Sequence, residues 1–204
     1  KWLQSAMGDY NSAIMLYGIL KGFSPSQLAK LFCEEAFENL GYFDGYARAA
    51  ANLLANARET DVPLDDMLPV WTRSGVFMHS VNHPKIHVIA GIARQITERL
   101  GISVSEHSFE VVNYLHDNLT SGPVWPVYSG IPGAPAGQHP LIFKKSHSGP
   151  IVAQKNVFLS LGQFINETLE SYSNFDLSTL SCPRLADPAF EKLDRFAAIS
   201  AKRN

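Results

Sequence analysis

The first 60 residues show a helical pattern of apolar positions. Residues 24–27 (Ser-Pro-Ser-Gln) form a capping box with proline at the first helical position. Apolar side chains follow at helical spacing, at Leu28, Leu31, Phe32 and Phe37. We predict that this helix ends at Gly41. A second helix is predicted from Tyr46 to Arg58, where many alanines favour close packing in the core.

A short strand followed by a helix is predicted between residues 75 and 101. Residues 75–81 (Gly-Val-Phe-Met-His-Ser-Val) are rich in β-forming side chains and are followed by Asn82. Pro84 then opens an amphipathic helix that ends at Leu100-Gly101. One apolar stripe is predicted along it, formed by Ile86, Ile89, Ala90, Ala93, Ile96 and Leu100.

Residues 121–150 interrupt the helical pattern. The chain has 14 glycines and 12 prolines, and 11 of these residues, counted together, lie in this segment. Their aromatic and apolar side chains predict an ordered loop that packs on the domain. After this loop, a second capping box at residues 160–163 opens a helix that runs to Tyr172. Asp187-Pro188 is predicted to open the last helix, whose apolar face consists of Phe190, Leu193, Phe196 and Ala197.

These elements predict an α/β fold that is dominated by helices and has a small sheet of few short strands. The length of 204 residues and the hydrophobic fraction of 46% fit a single domain, 1–204. A net charge of −2 argues against binding to nucleic acid. The two cysteines cannot form a disulfide framework, so we expect a cytoplasmic location. No apolar run reaches the roughly 18 residues that a transmembrane helix needs.

All seven histidines lie between His79 and His147. His79, His83 and His87 are spaced by four residues, which is a spacing that metal-binding helices use. The predicted strand and Pro84 interrupt any helix through these positions, so we predict no metal site.

The Asn82-His83-Pro84 turn predicts a more specific site. If Pro84 is the first helical residue, His83 or Asn82 is the N-cap. The backbone N–H groups of Lys85 and Ile86 then point out of the helix start, where the helix dipole favours a phosphate or an oxyanion. His83 is a candidate general base at this position. The alternative is that Asn82 and His83 only cap the helix.

Three further groups of residues each allow a chemical and a plain interpretation. Residues 58–61 (Arg-Glu-Thr-Asp) form either an ion-pair network beside a site or a solvated helix end. Residues 144–147 (Lys-Lys-Ser-His) either contact phosphates or form a solvated basic turn. Residues 125–128 (Trp-Pro-Val-Tyr) either offer flat surfaces to a ring or pack in the core.

Neither cysteine has the surroundings of a catalytic thiol. Cys33 is predicted within a helix, away from the helix end or the basic neighbour that favours a thiolate. Cys182 precedes Pro183 and has no neighbouring histidine. The sequence contains no Gly-rich phosphate loop, no nucleophile elbow and no CxxC pair.

Several motifs follow one another in a characteristic order between about Ser24 and Tyr172. They are Arg-Glu-Thr-Asp-Val at 58–62, Val-Phe-Met-His at 76–79, Asn-His-Pro at 82–84, Trp-Pro-Val-Tyr at 125–128, Phe-Lys at 143–144 and Ser-Leu-Gly-Gln-Phe at 160–164. Together they resemble the WcbI-type polysaccharide biosynthesis family. The Asn-His-Pro element after a strand is the most specific of them.

The resemblance implies a helix-rich α/β fold and the binding of coenzyme A or acetyl-coenzyme A. It implies an acyltransferase, in particular an acetyltransferase, that acts in capsule or exopolysaccharide assembly. The partner would be a small-molecule or glycan acceptor, and a homo-oligomer is compatible with the sequence.

The resemblance also implies roles for individual residues. His83 is the expected catalytic histidine, and Asn82 is expected to shape its turn. The residues expected to line or brace the site are Arg58, Glu59 and Asp61. Charge and position add three candidate contacts to coenzyme A, namely Lys85, Arg73 and Lys144.

The chain departs from the family pattern in one respect. Family members open with a strand and a Gly-Asn-Cys turn that supplies a thiol, and the sequence has no such turn. Because the chain starts at Lys1, we expect an N-terminal truncation that removed this segment. Two alternatives to a transferase stay open: a non-catalytic nucleotide- or glycan-binding module, and an esterase-type hydrolase that uses His83 with Ser80 or Ser146.

Overall fold

The computed structural model describes residues 2–73, 75–105, 110–131, 140–147, 155–180 and 182–198. The chain forms two compact units. The first unit consists of Lys1–Phe43 and Pro123–Asn204, and the second unit is Asp44–Gly122. The single domain predicted over 1–204 stays a prediction.

Helices dominate the described residues. In chain order the α-helices are α1 (Ala13–Leu20), α2 (Pro25–Lys30), α3 (Glu34–Asn39), α4 (Gly45–Arg58), α5 (Met67–Arg73), α6 (Ile86–Arg99), α7 (Leu161–Tyr172) and α8 (Asp194–Ala198). Strands β1 (Ile142–Lys144) and β2 (Phe158–Ser160) pair antiparallel, with Phe143 opposite Leu159. Short 3-10 helices cover Val111–Tyr114, Asn118–Ser121, Leu177–Thr179, Pro183–Ala186 and Pro188–Leu193. The predicted helix-dominated α/β fold with a small sheet is confirmed.

The two predicted capping boxes are confirmed, and they begin helices of the first unit. Ser24 accepts a hydrogen bond from the N–H of Gln27, whose side-chain oxygen accepts from the N–H of Ser24 at 2.8 Å. Ser160 and Gln163 form the same reciprocal pair at the start of α7. Each box satisfies two backbone N–H groups that the helix itself cannot bond.

The single helix predicted from Ser24 to Gly41 is wrong, because the chain forms α2 and α3 with a break between them. Cys33 has extended backbone angles (φ −129°, ψ 158°) and is the N-cap of α3, so it does not lie within a helix. The break lets Phe32 pack edge-on against Phe164 at a centroid distance of 6.2 Å. Gly41 follows α3 with a φ of 69°, as expected for a residue that ends a helix.

The core of the first unit contains a cluster of aromatic rings at α7 and the sheet, beside buried aliphatic side chains of α1 and α2. Phe143 and Phe164 are fully buried, and their rings stack with centroids 4.1 Å apart. Trp125 packs edge-on against both rings. Tyr128 stacks on Phe37 at 4.4 Å. The aromatic side chains of residues 125–128 therefore pack against the core.

The predicted Gly/Pro-rich loop at 121–150 falls partly outside the described residues, which omit 132–139 and 148–150. Its described part includes β1, and Val124 forms an isolated antiparallel bridge with Lys144.

The apolar face predicted at the C-terminal end is confirmed, because its four side chains are buried: Phe190, Leu193, Phe196 and Ala197. Asp187 caps this segment by accepting a hydrogen bond from the N–H of Ala189 at 2.9 Å. The segment is a 3-10 helix, Pro188–Leu193, before it continues as α8.

The second unit buries a smaller apolar cluster, consisting of Ala57, Leu64, Leu68, Trp71 and Val88. The core packing predicted for the alanines of α4 holds only at Ala57, which is the one buried residue of that helix. The stripe predicted on α6 is also not its buried face, since Leu100 is 68% exposed. The face that packs on α5 contains Gly91, where a Cβ would lie 2.8 Å from Met67 Cε and 3.1 Å from Trp71 Nε1. Close approach at this glycine selects Val88 rather than Ile89 for burial.

Candidate functional site

The strand predicted at residues 75–81 is wrong. Among these residues, Met78 alone pairs as in a sheet, and it does so through an isolated bridge to Pro84. Only five residues separate Met78 from Pro84, so the turn between them leaves no room for a second pair of bridged residues. On the other side of the bridge the chain enters helix α6 at Ile86, so the pairing does not extend there either.

The chain turns back sharply at this bridge. The N–H of Lys85 donates to the carbonyl oxygen of Phe77 at 2.9 Å, and the N–H of His79 donates to that of His83 at 2.7 Å. We call residues 79–83 the histidine loop. Its two ends are therefore joined by a direct backbone hydrogen bond.

Helix α6 begins at Ile86, two residues later than predicted. Its N-cap is Lys85, which makes no side-chain capping bond, so the predicted capping by Asn82 or His83 is wrong. Asp117 provides the cap from a distant part of the sequence, because its Oδ2 accepts a hydrogen bond from the N–H of Ile86 at 2.9 Å.

The anion site predicted at this helix start is also wrong. The N–H groups of Lys85 and Ile86 both donate to protein acceptors, the carbonyl of Phe77 and the carboxylate of Asp117. The Asp117 carboxylate lies where a phosphate was expected. The helix dipole stabilises that negative charge. The helix start therefore does bind an anion, but the anion is a side-chain carboxylate of the protein.

Asp117 also binds the histidine loop. Its Oδ2 lies 2.9 Å from Nε2 of His79, and the two side chains are 16% and 10% exposed, respectively. Its Oδ1 accepts a hydrogen bond from the N–H of Leu119 at 3.1 Å. Burial acts to raise the pKa of Asp117, but the hydrogen bonds from His79, Ile86 and Leu119 outweigh it and hold the pKa below its usual value. Asp117 is therefore an ionised carboxylate that orients the His79 ring.

The ring of His83 lies against the backbone of Gly122. A Cβ at Gly122 would lie 2.7 Å from both Cε1 and Nδ1 of that ring, closer than van der Waals contact allows. The backbone of Gly122 is extended (φ −71°, ψ −179°), so the requirement for glycine is one of space. The position of the His83 imidazole thus depends on the absence of a side chain at residue 122.

His87, the third histidine of the spacing, lies on the first turn of α6. Its Nε2 is buried and has no hydrogen-bond partner among the described residues. Burial lowers the pKa of His87, the charge of Lys85 lowers it further, and the charge of Asp117 acts in the opposite direction. No three metal-ligating side chains converge anywhere in the described ranges.

This shift predicts an acid-sensitive stability. The unfolded chain binds a proton at His87 at higher pH than the folded chain, so folding loses stability as the pH falls below about 6.5. We expect the decrease in melting temperature between pH 7.5 and 5.5 to be smaller in His87→Gln than in the wild type. The control is His116→Gln, at an exposed histidine of the same unit. Identical pH slopes in all three proteins would contradict the assignment.

The structure does not join the predicted bracing residues into one network. Arg58 forms an ion pair with Asp65, with its Nε 3.0 Å from Oδ1, rather than with its sequence neighbours. Glu59 and Asp61 are exposed.

The segment that follows Asp61 packs on the later part of α6. The side-chain amide of Gln95 donates to the carbonyl of Pro63 at 2.9 Å. Gln95 lies nine residues after Ile86, which corresponds to about 13 Å along the helix. The contact is therefore remote from the helix start that Asp117 caps.

The three candidate contacts to coenzyme A have different surroundings. Lys85 is half-buried beside the histidine loop, and Arg73 is exposed at the end of α5. Lys144 belongs to the first unit and is only 7% exposed. Its Nζ donates to the carbonyl of Lys145 at 3.1 Å, and burial lowers its pKa.

Within the histidine loop, the buried Ser80 donates a hydrogen bond from its Oγ to Oδ1 of Asn82 at 3.2 Å. This contact links the side chain of Asn82 to the middle of the turn. The predicted roles of Asn82 and His83 in catalysis stay predictions.

Sequence reasoning missed Asp117 and Gly122. Asp117 is 38 residues from His79, and nothing in the local sequence pairs them. Asp-Asn-Leu-Thr at 117–120 is typical of a capped short helix. This pattern predicts the hydrogen bond that the N–H of Leu119 donates to Asp117, but not the distant partners of Asp117.

A family model described as "Polysaccharide biosynthesis enzyme WcbI" matches residues 1–105. The match covers just over half of the chain and includes the histidine loop and all of α6. The chain therefore belongs to a family of polysaccharide biosynthesis enzymes. That family is WcbI, as the motif order indicated.

No curated protein and no solved structure matches the chain. No helix in the described part of the chain is long and apolar enough to cross a membrane.

Proposed function

We propose that this chain is an acyltransferase that transfers an acetyl group from acetyl-coenzyme A to a sugar hydroxyl during capsule or exopolysaccharide synthesis. The observation that carries the proposal is the histidine loop, where His83 packs on Gly122 while His79 is held by Asp117. Membership of the WcbI family supports the polysaccharide context.

Bound acetyl-coenzyme A would supply a thioester carbonyl that a hydroxyl group can attack. His83 would accept the proton of the acceptor hydroxyl as the new C–O bond forms, and would return it to the departing sulfur. The hydrogen bonds around His79 hold the loop in place, so the base does not need to be ordered during the reaction.

The chemistry of the cations decides which residues fit coenzyme A. Arg73 is exposed, and Lys85 is half-buried near the loop, so either can meet a phosphate. Lys144 fits this role poorly, because its ammonium group is buried and donates to a backbone carbonyl. The Asp117 carboxylate would repel a phosphate from the backbone N–H groups at the start of α6, so Lys85 would contact it through its side-chain ammonium group. The proposal therefore places the phosphates at Arg73 and Lys85.

Calorimetric titration of the purified chain with coenzyme A tests this proposal, once circular dichroism has shown that each protein is folded. We expect saturable binding with a Kd of about micromolar order, which Arg73→Ala weakens by about tenfold. The matched control is Arg99→Ala. Arg99 is an exposed arginine of the same unit, and it lies at the C-terminal end of α6, away from the histidine loop. A folded chain that binds no coenzyme A would contradict the proposal.

Turnover is the second readout. We expect the chain to release the free thiol of coenzyme A when acetyl-coenzyme A and a polysaccharide acceptor are both present. No thiol should be released when either one is omitted. Cleavage of a simple ester without coenzyme A would instead favour the hydrolase alternative.

A further inference from the structure

We infer that residues 117–122, which we call the clamp segment, position His83 for catalysis, with Asp117 and Gly122 as the positioning residues. The inference rests on the proposed function for the role of His83. It adds two residues that lie beyond the range matched by the family model.

The clamp segment contacts the histidine loop at both of its ends. At one end, Asp117 Oδ2 lies 2.9 Å from Nε2 of His79. At the other end, the backbone of Gly122 packs directly on the ring of His83. One short segment therefore contacts the first and the last residue of the loop.

Internal hydrogen bonds fix the distance between these two ends. The N–H of Gly122 donates to the carbonyl of Leu119 at 3.2 Å, and the N–H of Leu119 donates to Oδ1 of Asp117 at 3.1 Å. The hydroxyl and the N–H of Thr120 both donate to the carbonyl of Asp117, at 2.6 and 3.0 Å. The segment is a closed 3-10 turn and not an extended linker.

The histidine loop carries the effect of Asp117 to His83. The N–H of His79 donates to the carbonyl of His83 at 2.7 Å, so the backbone of His83 follows that of His79. Asp117 also holds the N–H of Ile86, which anchors the chain on the other side of His83. His83 is thus held through its backbone on both sides and through its ring by Gly122.

A purely local cap would behave differently from a clamp. If Asp117 only capped α6, its substitution would disturb His79 and Ile86 and leave the His83 ring where it is. If the clamp segment positions His83, a change at Asp117 also displaces the imidazole of His83. This distinction needs a readout at His83 itself.

The test uses the full chain with isotope-labelled histidines and follows the ring signals of His83 by NMR, without coenzyme A or acceptor. We expect Asp117→Asn to shift or broaden the His83 signals. The matched control is Asp176→Asn, since Asp176 caps another 3-10 helix by accepting from the N–H of Ser178 at 3.0 Å. Unchanged His83 signals in folded Asp117→Asn would overturn the inference.

Gly122→Ala provides an independent variant in case Asp117→Asn does not fold. It is expected to displace the His83 ring and to lower kcat by about 100-fold with KM near the wild-type value. Its control is Gly45→Ala, because a Cβ at Gly45 meets nothing within 4 Å. A wild-type His83 spectrum in folded Gly122→Ala overturns the clamp. If the wild-type chain transfers no acetyl group, the proposed function is contradicted. Displaced His83 signals in Gly122→Ala would still support the clamp in that case.

Discussion

Phe164→Ala is expected to lower the free energy of unfolding by about 3–5 kcal/mol. Phe164 is fully buried, and it stacks on Phe143 at 4.1 Å while Trp125 packs on its edge at 5.6 Å. Truncation removes the ring from the centre of this cluster and leaves a cavity whose walls are other aromatic rings. Rigid rings of this kind cannot collapse to fill the space, so the effect should lie toward the upper end of that range.

Phe158→Ala is the matched control for this prediction. It removes the same side chain from β2, the strand that precedes α7, but Phe158 is 57% exposed. We expect a change of less than about 1 kcal/mol, because the ring is already largely in contact with water. Urea unfolding followed by tryptophan fluorescence measures both variants. Equal losses of stability would show that the aromatic cluster is not the main core of the first unit.

Local signals in the sequence were sufficient for much of the first unit. The capping boxes at Ser24 and Ser160 are complete within four residues, so no distant partner is needed to read them. The apolar face around Phe190 and Phe196 likewise follows from spacing alone. Periodicity was sufficient there because that segment packs on α2 and α3.

The second unit shows where local reasoning fails. The β-forming residues at 75–81 have a partner, but it is only a turn away, so they form a loop rather than a strand. Helix α6 starts at Ile86 because Asp117 caps it from 31 residues downstream. Its buried face is selected by the close approach at Gly91. Each of these outcomes depends on a tertiary contact that neither periodicity nor capping propensity contains.

Only part of the candidate site has a local signal in the sequence. His83 stands in a short motif, so the resemblance to a family is enough to propose it as a site residue. Asp117 and Gly122 contribute through a carboxylate–imidazole bond and through the lack of a side chain, respectively. Neither contribution leaves a local pattern, because aspartate and glycine are common turn residues.

His83→Ala is expected to lower kcat for acetyl transfer by about 10²–10⁴-fold, the usual contribution of a general base. The affinity for coenzyme A, measured by calorimetry, should change little, because the proposed phosphate contacts lie at Arg73 and Lys85. A loss of turnover with retained binding would separate a chemical role of the imidazole from a role in holding the donor.

His116→Ala is the control, since His116 is an exposed histidine of the same unit. His79→Ala provides the decisive comparison. If His83 is the base, His79→Ala lowers kcat only through the position of the loop, so it should retain more activity than His83→Ala. The reverse order, with His83→Ala active and His79→Ala inactive, would transfer the role of base to the His79–Asp117 pair. The carboxylate 2.9 Å from its ring would then stabilise the imidazolium that forms during the reaction.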